Sequence, residues 1–202
     1  MLWANAENQT KANNSGTNKV NFTFKHALAK IGYTVKTSAA YDGTTITLKS
    51  IKLAGSADGK KEAFYTKGTI DLSYTPSTTT TTPTTSLWTT SKGKQNFDWF
   101  SGDQTVTSKS ADNPNTDYLF VIPQDFSKTT DADALYVIVE YTIKYEDEKT
   151  VTNTVSSQLK LNFEQGKAYT INLSLGLTPI EFDVTTVEGW TDINQGEINS
   201  WN

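Results

Sequence analysis

Apolar residues recur at every second position through long stretches of this chain, the period of a half-buried β-strand. Val20, Phe22 and Phe24 alternate with Asn21, Thr23 and Lys25 and predict a first strand. His26-Ala27-Leu28-Ala29-Lys30-Ile31 breaks that alternation and would place Ala27, Leu28 and Ile31 on one helical face, so a short helical turn is predicted before Tyr33 and Val35 resume a strand. Ile46, Leu48, Ile51 and Leu53 give another strand, with a bulge near Ser50 where the alternation slips by one. The turn signals Asp58-Gly59 and Lys67-Gly68 bracket a predicted hairpin over 63–74. Tyr118 to Ile122 is a continuous apolar run stopped by Pro123, the pattern of a buried central strand. Leu135, Val137, Val139, Tyr141, Ile143 and Tyr145 share one face of a long strand, and after the charged turn 146–149 the return runs through Val151 and Val155 to Leu159, Leu161 and Phe163. Glu164-Gln165-Gly166 turns the chain into Tyr169, Ile171, Leu173, Leu175 and Leu177, and beyond Pro179 come Ile180, Phe182 and Val184. Three long antiparallel strands are thus expected to close the domain.

Strands joined by short turns, with no long amphipathic helix, predict an all-β fold, an antiparallel β-sandwich. Its core is expected to hold Phe22, Phe24, Phe120, Ile122, Val137, Val139, Tyr141, Leu161, Ile171 and Leu173. Residues 1–18 are polar and without apolar period, and are expected to form a flexible lead or an interdomain linker remnant. The sandwich domain occupies 19–190, and 191–202 is a polar tail. Within the domain, 76–86 is a Thr/Pro tract that can bury nothing, a loop between strands in preference to a glycosylated stalk. Leu87 to Asn115 carries Trp88, Phe97, Trp99 and Phe100 among turn residues and yields no clear element.

Composition narrows the chemistry. The strand-favouring lean comes largely from 34 Thr, and Asn and Ser add to a polar, uncharged surface. Every one of the 18 basic residues is Lys, and 22 acids bring the net charge to −4, so no basic field is available to hold nucleic acid. The absence of Cys removes disulfides, thiolate nucleophiles and thiolate metal sites. One imidazole, His26, is better read as packed or exposed than as catalytic. Asp131-Ala132-Asp133 and the group Asp112, Asn113, Asn115 and Asp117 offer closely spaced oxygens. They lack the glycine and distal glutamate of a helix-loop-helix calcium loop, and solvated loops are expected. Glu181 and Asp183 lie two apart on one strand, which alternation explains without a glycosidase pair. No enzymatic activity, cofactor or metal is expected, and no stretch approaches the roughly 20 apolar residues of a membrane-spanning helix. Trp88, Trp99, Trp190 and Trp201 are candidates for stacking on sugars, with Trp201 the hardest to bury within its own domain.

Three segments resemble one family. Val20-Asn21-Phe22-Thr23-Phe24-Lys25-His26-Ala27-Leu28-Ala29-Lys30-Ile31 is similar to the opening of the second domain in fimbrillin-like proteins of gut and oral anaerobic Gram-negative bacteria. Tyr118 to Gln124 resembles that family's strand ending in Ile-Pro-Gln, and Gly166-Lys167-Ala168-Tyr169-Thr170-Ile171 with the later Gly189-Trp190 resembles its turn and closing pair. The resemblance implies a transthyretin-like, Greek-key sandwich and a structural subunit of fimbriae or a related cell-surface adhesin. It also implies outer-membrane lipoprotein export, and assembly by a donor strand that fills a neighbour's groove. Other fimbrial subunits, or host or bacterial surface ligands, are the partners implied. The chain departs from the pattern in having no lipidated Cys, no export signal and no Arg for an arginine-specific maturation protease. A fragment beginning near the second domain is therefore expected. Ile180, Phe182 and Val184 are the candidate strand-exchange residues, at two-residue spacing; the competing and preferred reading is that their strand completes its own sheet. A carbohydrate-binding sandwich using Trp201, Trp99 and Trp88 is the alternative function.

Overall fold

The computed structural model describes residues 1–4, 24–71, 88–108, 118–128, 133–177 and 181–187. These form sixteen strands and no α-helix among the described residues. In chain order they are β1 (Leu2–Trp3), β2 (Lys25–His26), β3 (Ala29–Thr37), β4 (Thr45–Ala54), β5 (Phe64–Tyr65), β6 (Gly68–Ile70), β7 (Trp88–Thr90) and β8 (Lys94–Gln95). Then follow β9 (Phe97–Val106), β10 (Leu119–Val121), β11 (Gln124–Asp125), β12 (Tyr136–Lys144), β13 (Thr150–Gln158), β14 (Asn162–Phe163), β15 (Ala168–Leu175) and β16 (Glu181–Val187). Two four-stranded sheets carry the fold, ordered β10-β3-β15-β16 and β13-β12-β4-β9, and short ribbons pair β1 with β2, β5 with β8, β6 with β7 and β11 with β14.

Both sheets turn one face to a single core. Ile31, Tyr33, Val35, Ile171 and Leu173 enter it from the first sheet, and Leu48, Ile51, Val137, Val139 and Tyr141 from the second. Specific contacts pin the layers. Tyr33 meets Trp99 edge-to-face, centroids 4.9 Å apart, and the buried Tyr141 hydroxyl donates to the Gly176 carbonyl at 3.0 Å. At one end Phe64, Phe126, Phe163 and Tyr169 interlock at angles that favour ring edge against ring face.

The all-β class and most of the core match the alternation, and the slip at Ser50 is a bulge. Leu48 and Ser50 oppose consecutive residues Tyr141 and Glu140, so Lys49 is the extra residue. Other expectations are corrected. The segment 26–31 is not helical: Ala27, Ala29, Ile31, Tyr33 and Val35 are all buried, a two-residue period in which alanine takes the place of larger apolar side chains. Pairing on both sides, with β10 and β15, overrides the local helical face.

Phe24 and Phe120 are 65% and 54% exposed rather than core. β10 is an edge strand of three residues, not a central one, and Phe120 opposes Lys30 on its outer face while Val121 turns inward. A continuous apolar run has no alternation of its own to reveal this. Leu161 is half-buried, and Phe22 lies outside the described residues.

Of the hairpin expected over 63–74, residues 72–74 lie outside the described residues, and β5 and β6 do not pair with each other. Instead β5 and β6 pair with β8 and β7, strands that lie beyond the Thr-rich tract. The tract itself, 76–86, lies outside the described residues, as do 5–18 of the expected lead. Within that lead, however, Leu2–Trp3 pairs with Lys25–His26, and Trp3 is 6% exposed in a small satellite core with Ala27. One large aromatic side chain suffices to fix the start of the segment. Finally, the last long strands do not form one meander. β12 and β13 are antiparallel neighbours, but β15 crosses to the other sheet and runs parallel to β3 through eight residue pairs.

Candidate functional site: sheet edges and aromatic positions

The features a binding or assembling β-protein can use are its edges and its exposed aromatics. β16 lies at the border of the first sheet, where among the described residues its one neighbour is β15, paired antiparallel over seven positions. Its register sets Phe182 opposite Leu173 and Val184 opposite Ile171. Val184 packs, partly buried, against the main core. Ile180 lies outside the described residues. The strand thus occupies a place in the domain's own sheet, at its rim.

The tryptophans fall differently from a sugar-stacking platform. Trp99 is 8% exposed and locked against Tyr33 between the sheets. Trp88 is half-buried against Trp3 and Ala27, and its indole N–H donates to the Ala27 carbonyl at 2.7 Å. Trp190 and Trp201 lie outside the described residues. Exposed rings are found instead on the outer face of the first sheet. There the Tyr118 ring covers Gly32, where a Cβ would come within 3.0 Å of it. The Lys30 ammonium sits 3.6 Å from the centroid of the same ring.

Ionisable groups do not converge. Among the described residues, no three His, Cys, Asp or Glu side chains come together as a metal cluster. Asp133, from one of the acidic pairs, bonds Lys94 at 2.8 Å; Asp131 and the group 112–117 lie outside the described residues, and of Glu181 and Asp183 only the backbone is described. His26 stands on β2, and partial desolvation, then the nearby α-amino group, hold its imidazole below the ordinary value. Burial pushes the Tyr141 phenol above its ordinary value, opposed by a hydrogen bond with the Asn153 side chain.

Sequence reasoning passed over the second sheet's edges. Among the described residues its outermost strands are β9 and β13, each with a neighbour on one side only. On β9, Asp98 and Asp103 form ion pairs with Lys52 and Lys49, and the ladder to β4 shifts register twice. β13 keeps all nine pairs with β12 in register. The signal available was the run Thr-Val-Thr-Asn-Thr-Val-Ser-Ser-Gln, which holds neither charge nor proline.

The described residues form two sheets on one core whose border strands offer backbone edges for contact. The fimbrillin-like family model matches residues 1–190, and the chain belongs to that family. This membership points to a structural protein and not an enzyme. Curated proteins yield no match. Among solved structures, the chain is similar to a fimbrial protein from Bacteroides vulgatus ATCC 8482, with TM-score 0.62, 22% identity and 91% of this chain covered. It is also similar to a candidate cell adhesion protein from Parabacteroides distasonis ATCC 8503, with TM-score 0.51, 9% identity and 85% covered. The chain spans 60% and 55% of the lengths of those two proteins.

Proposed function

We propose that this chain is a structural subunit of a fimbria or of a related cell-surface adhesin, and that it meets its neighbouring subunits by β-strand addition. Family membership supports the first part, and the two fold-level neighbours, one fimbrial and one a candidate adhesion protein, agree with it. The observation that carries the second part is the position of β16 at a sheet border, held through one antiparallel ladder to β15. Releasing such a strand breaks one ladder and leaves β15 as a templated edge for a replacement. An incoming strand would be held by main-chain hydrogen bonds, with alternate side chains giving it register. Ile180, Phe182 and Val184 are the positions proposed to fill successive pockets of a neighbour. The proposed location is the cell surface, with other fimbrial subunits as partners.

Deletion of residues 179–202 tests the reading. An exchangeable strand leaves a truncated monomer that folds and melts nearly as before. In that case binding of a peptide spanning 179–202 to the truncated domain is lost with Phe182→Asp. A truncation product that is unfolded by circular dichroism and thermal melting would assign the strand wholly to its own sheet.

A further inference from the structure

The free edge at β13 carries an inference that goes beyond strand exchange at β16 and does not depend on it. Long sheet edges are ordinarily blunted by charge, proline, a bulge or a covering segment, because their unpaired N–H and C=O groups template another strand. β13 offers a nine-residue edge with no charged side chain, no proline and no register shift against β12, and among the described residues no strand lies beyond it. Its sequence also reads almost identically in both directions about Asn153. Val151 mirrors Val155, Thr152 mirrors Thr154, and Thr150 is mirrored by Ser156.

We propose that β13 is the contact through which two copies of this chain join edge to edge, antiparallel, with the two-fold axis passing through Asn153. In a symmetric dimer each side chain faces the residue at its mirror position, and on this strand those positions hold like or closely similar residues on both faces. On the inner face Val151 meets Val155 of the second copy, so two half-exposed valines on each copy, one of them already packed on the core, gain apolar neighbours. Thr152 meets Thr154 of the second copy on the outer face, and Thr150 meets Ser156. Paired β-branched and hydroxyl side chains are favourable cross-strand neighbours.

Charge is compatible with this register. Lys144 lies beside Thr150 and Glu140 beside Thr154 on β12. Continued across the axis, the Lys144 row reaches Ile138 of the second copy and the Glu140 row reaches Thr142, so within β12 and β13 of the two copies no like charges share a row. Seven mirrored residues supply roughly 6–8 main-chain hydrogen bonds, two for every second pair of an antiparallel ladder. The result is one continuous eight-stranded sheet made of two four-stranded ones.

Sedimentation equilibrium of the full chain from low to high micromolar concentration is expected to show a reversible dimer. Thr152→Lys with Thr154→Lys sets lysine opposite lysine in two rows and is expected to weaken it by about tenfold or more, with circular dichroism unchanged. Ser101→Lys on β9 and Phe182→Asp on β16 are expected to leave it intact.

Because the chain has no Cys, each introduced thiol is the only one present. Under mild oxidation Asn153→Cys is expected to cross-link with itself, and Thr152→Cys mixed with Thr154→Cys to cross-link more completely than either alone. This cysteine series reads the register even if the lysine variant fails to fold. A monomer at every concentration, a dimer indifferent to the paired lysines or lost with Ser101→Lys, or cross-links that ignore this register would each overturn the proposal.

Discussion

β9 and β13 border the same sheet, yet their free edges are treated in opposite ways. β9 carries Asp98 and Asp103, slips register twice and buries Trp99 deep between the layers. β13 is uncharged, unshifted and half-buried at best on its inner side. The inner-face anchors differ as well. The β9 side is tied across the core by the Tyr33–Trp99 ring contact, whereas beside β13 the tie is a single hydrogen bond from Tyr141 on β12. A sheet with one edge closed to pairing and the other open is directional, and the difference teaches where a partner strand can add.

Removing the stronger anchor should produce the largest effect. Trp99→Ala is expected to cost about 3–5 kcal/mol in chemical denaturation, because it deletes a buried indole and leaves Tyr33 facing a cavity. On the other edge Val155→Ala should cost no more than about 1 kcal/mol, in keeping with its partial burial. Equal losses at the two sites would erase the contrast in how the edges are anchored.

Tyr141→Phe sharpens the comparison on the β13 side. Loss of the hydroxyl leaves the Gly176 carbonyl without its partner and should cost about 1 kcal/mol near neutral pH. The same variant should alter the alkaline limb of stability. Burial raises the Tyr141 value in the folded chain above 10.0, so the unfolded chain releases this proton first. The contribution of the neutral phenol is fully present below pH 10.0 and is lost as pH rises beyond it. A pH series of denaturation midpoints should therefore fall less steeply above that pH in the variant than in the parent chain.

The smallest effect is expected on the protected edge. Asp98→Asn with Asp103→Asn removes two exposed ion pairs and should change stability by less than about 1 kcal/mol. Stripping those charges should nevertheless raise concentration-dependent association, measured by light scattering, since the charges serve to refuse a strand. A double variant that stays as soluble as its parent would show that the two bulges alone close β9.

Where the alternation used large residues on one face, the fold was legible. Val137 to Ile143 and Ile171 to Leu175 needed only the two-residue period to be placed inward. It failed where side chains were small or uniformly apolar. Ala27 and Ala29 are fully buried, but alanine is also a strong helix former, and the 26–31 face misled. Tyr118 to Ile122 is apolar on both faces, so only the pairing partner decides that Phe120 looks outward.

β5 to β8 are strands of two or three residues whose partners lie across the Thr-rich tract, a separation no local pattern reports. Partner choice also decided the sheet of β15. The strand itself was evident, but its parallel pairing with β3 follows from a crossing between layers that local periodicity does not encode. Of the candidate residues, Val184 stands at a rim position compatible with exchange, and Trp99 proved to be an interior anchor. The β13 palindrome was readable from the start, but its meaning depended on knowing that β13 is outermost.

The parallel alignment of β3 with β15 has a kinetic consequence. The Thr34 hydroxyl donates to the Asn172 side-chain oxygen across 138 residues of chain, and the whole ladder joins segments of comparable separation. Contacts this remote in sequence must overcome a large loop-closure entropy before they contribute, which makes folding slow. On a ribosome, β3 emerges well before β15 and waits. Until Ala168–Leu175 follows, the strand destined for the middle of its sheet has at most β10 beside it, and its apolar face remains available to chaperones. The sheet is therefore completed only once β15 has been made, and β3 lacks its parallel neighbour throughout the synthesis of the intervening stretch.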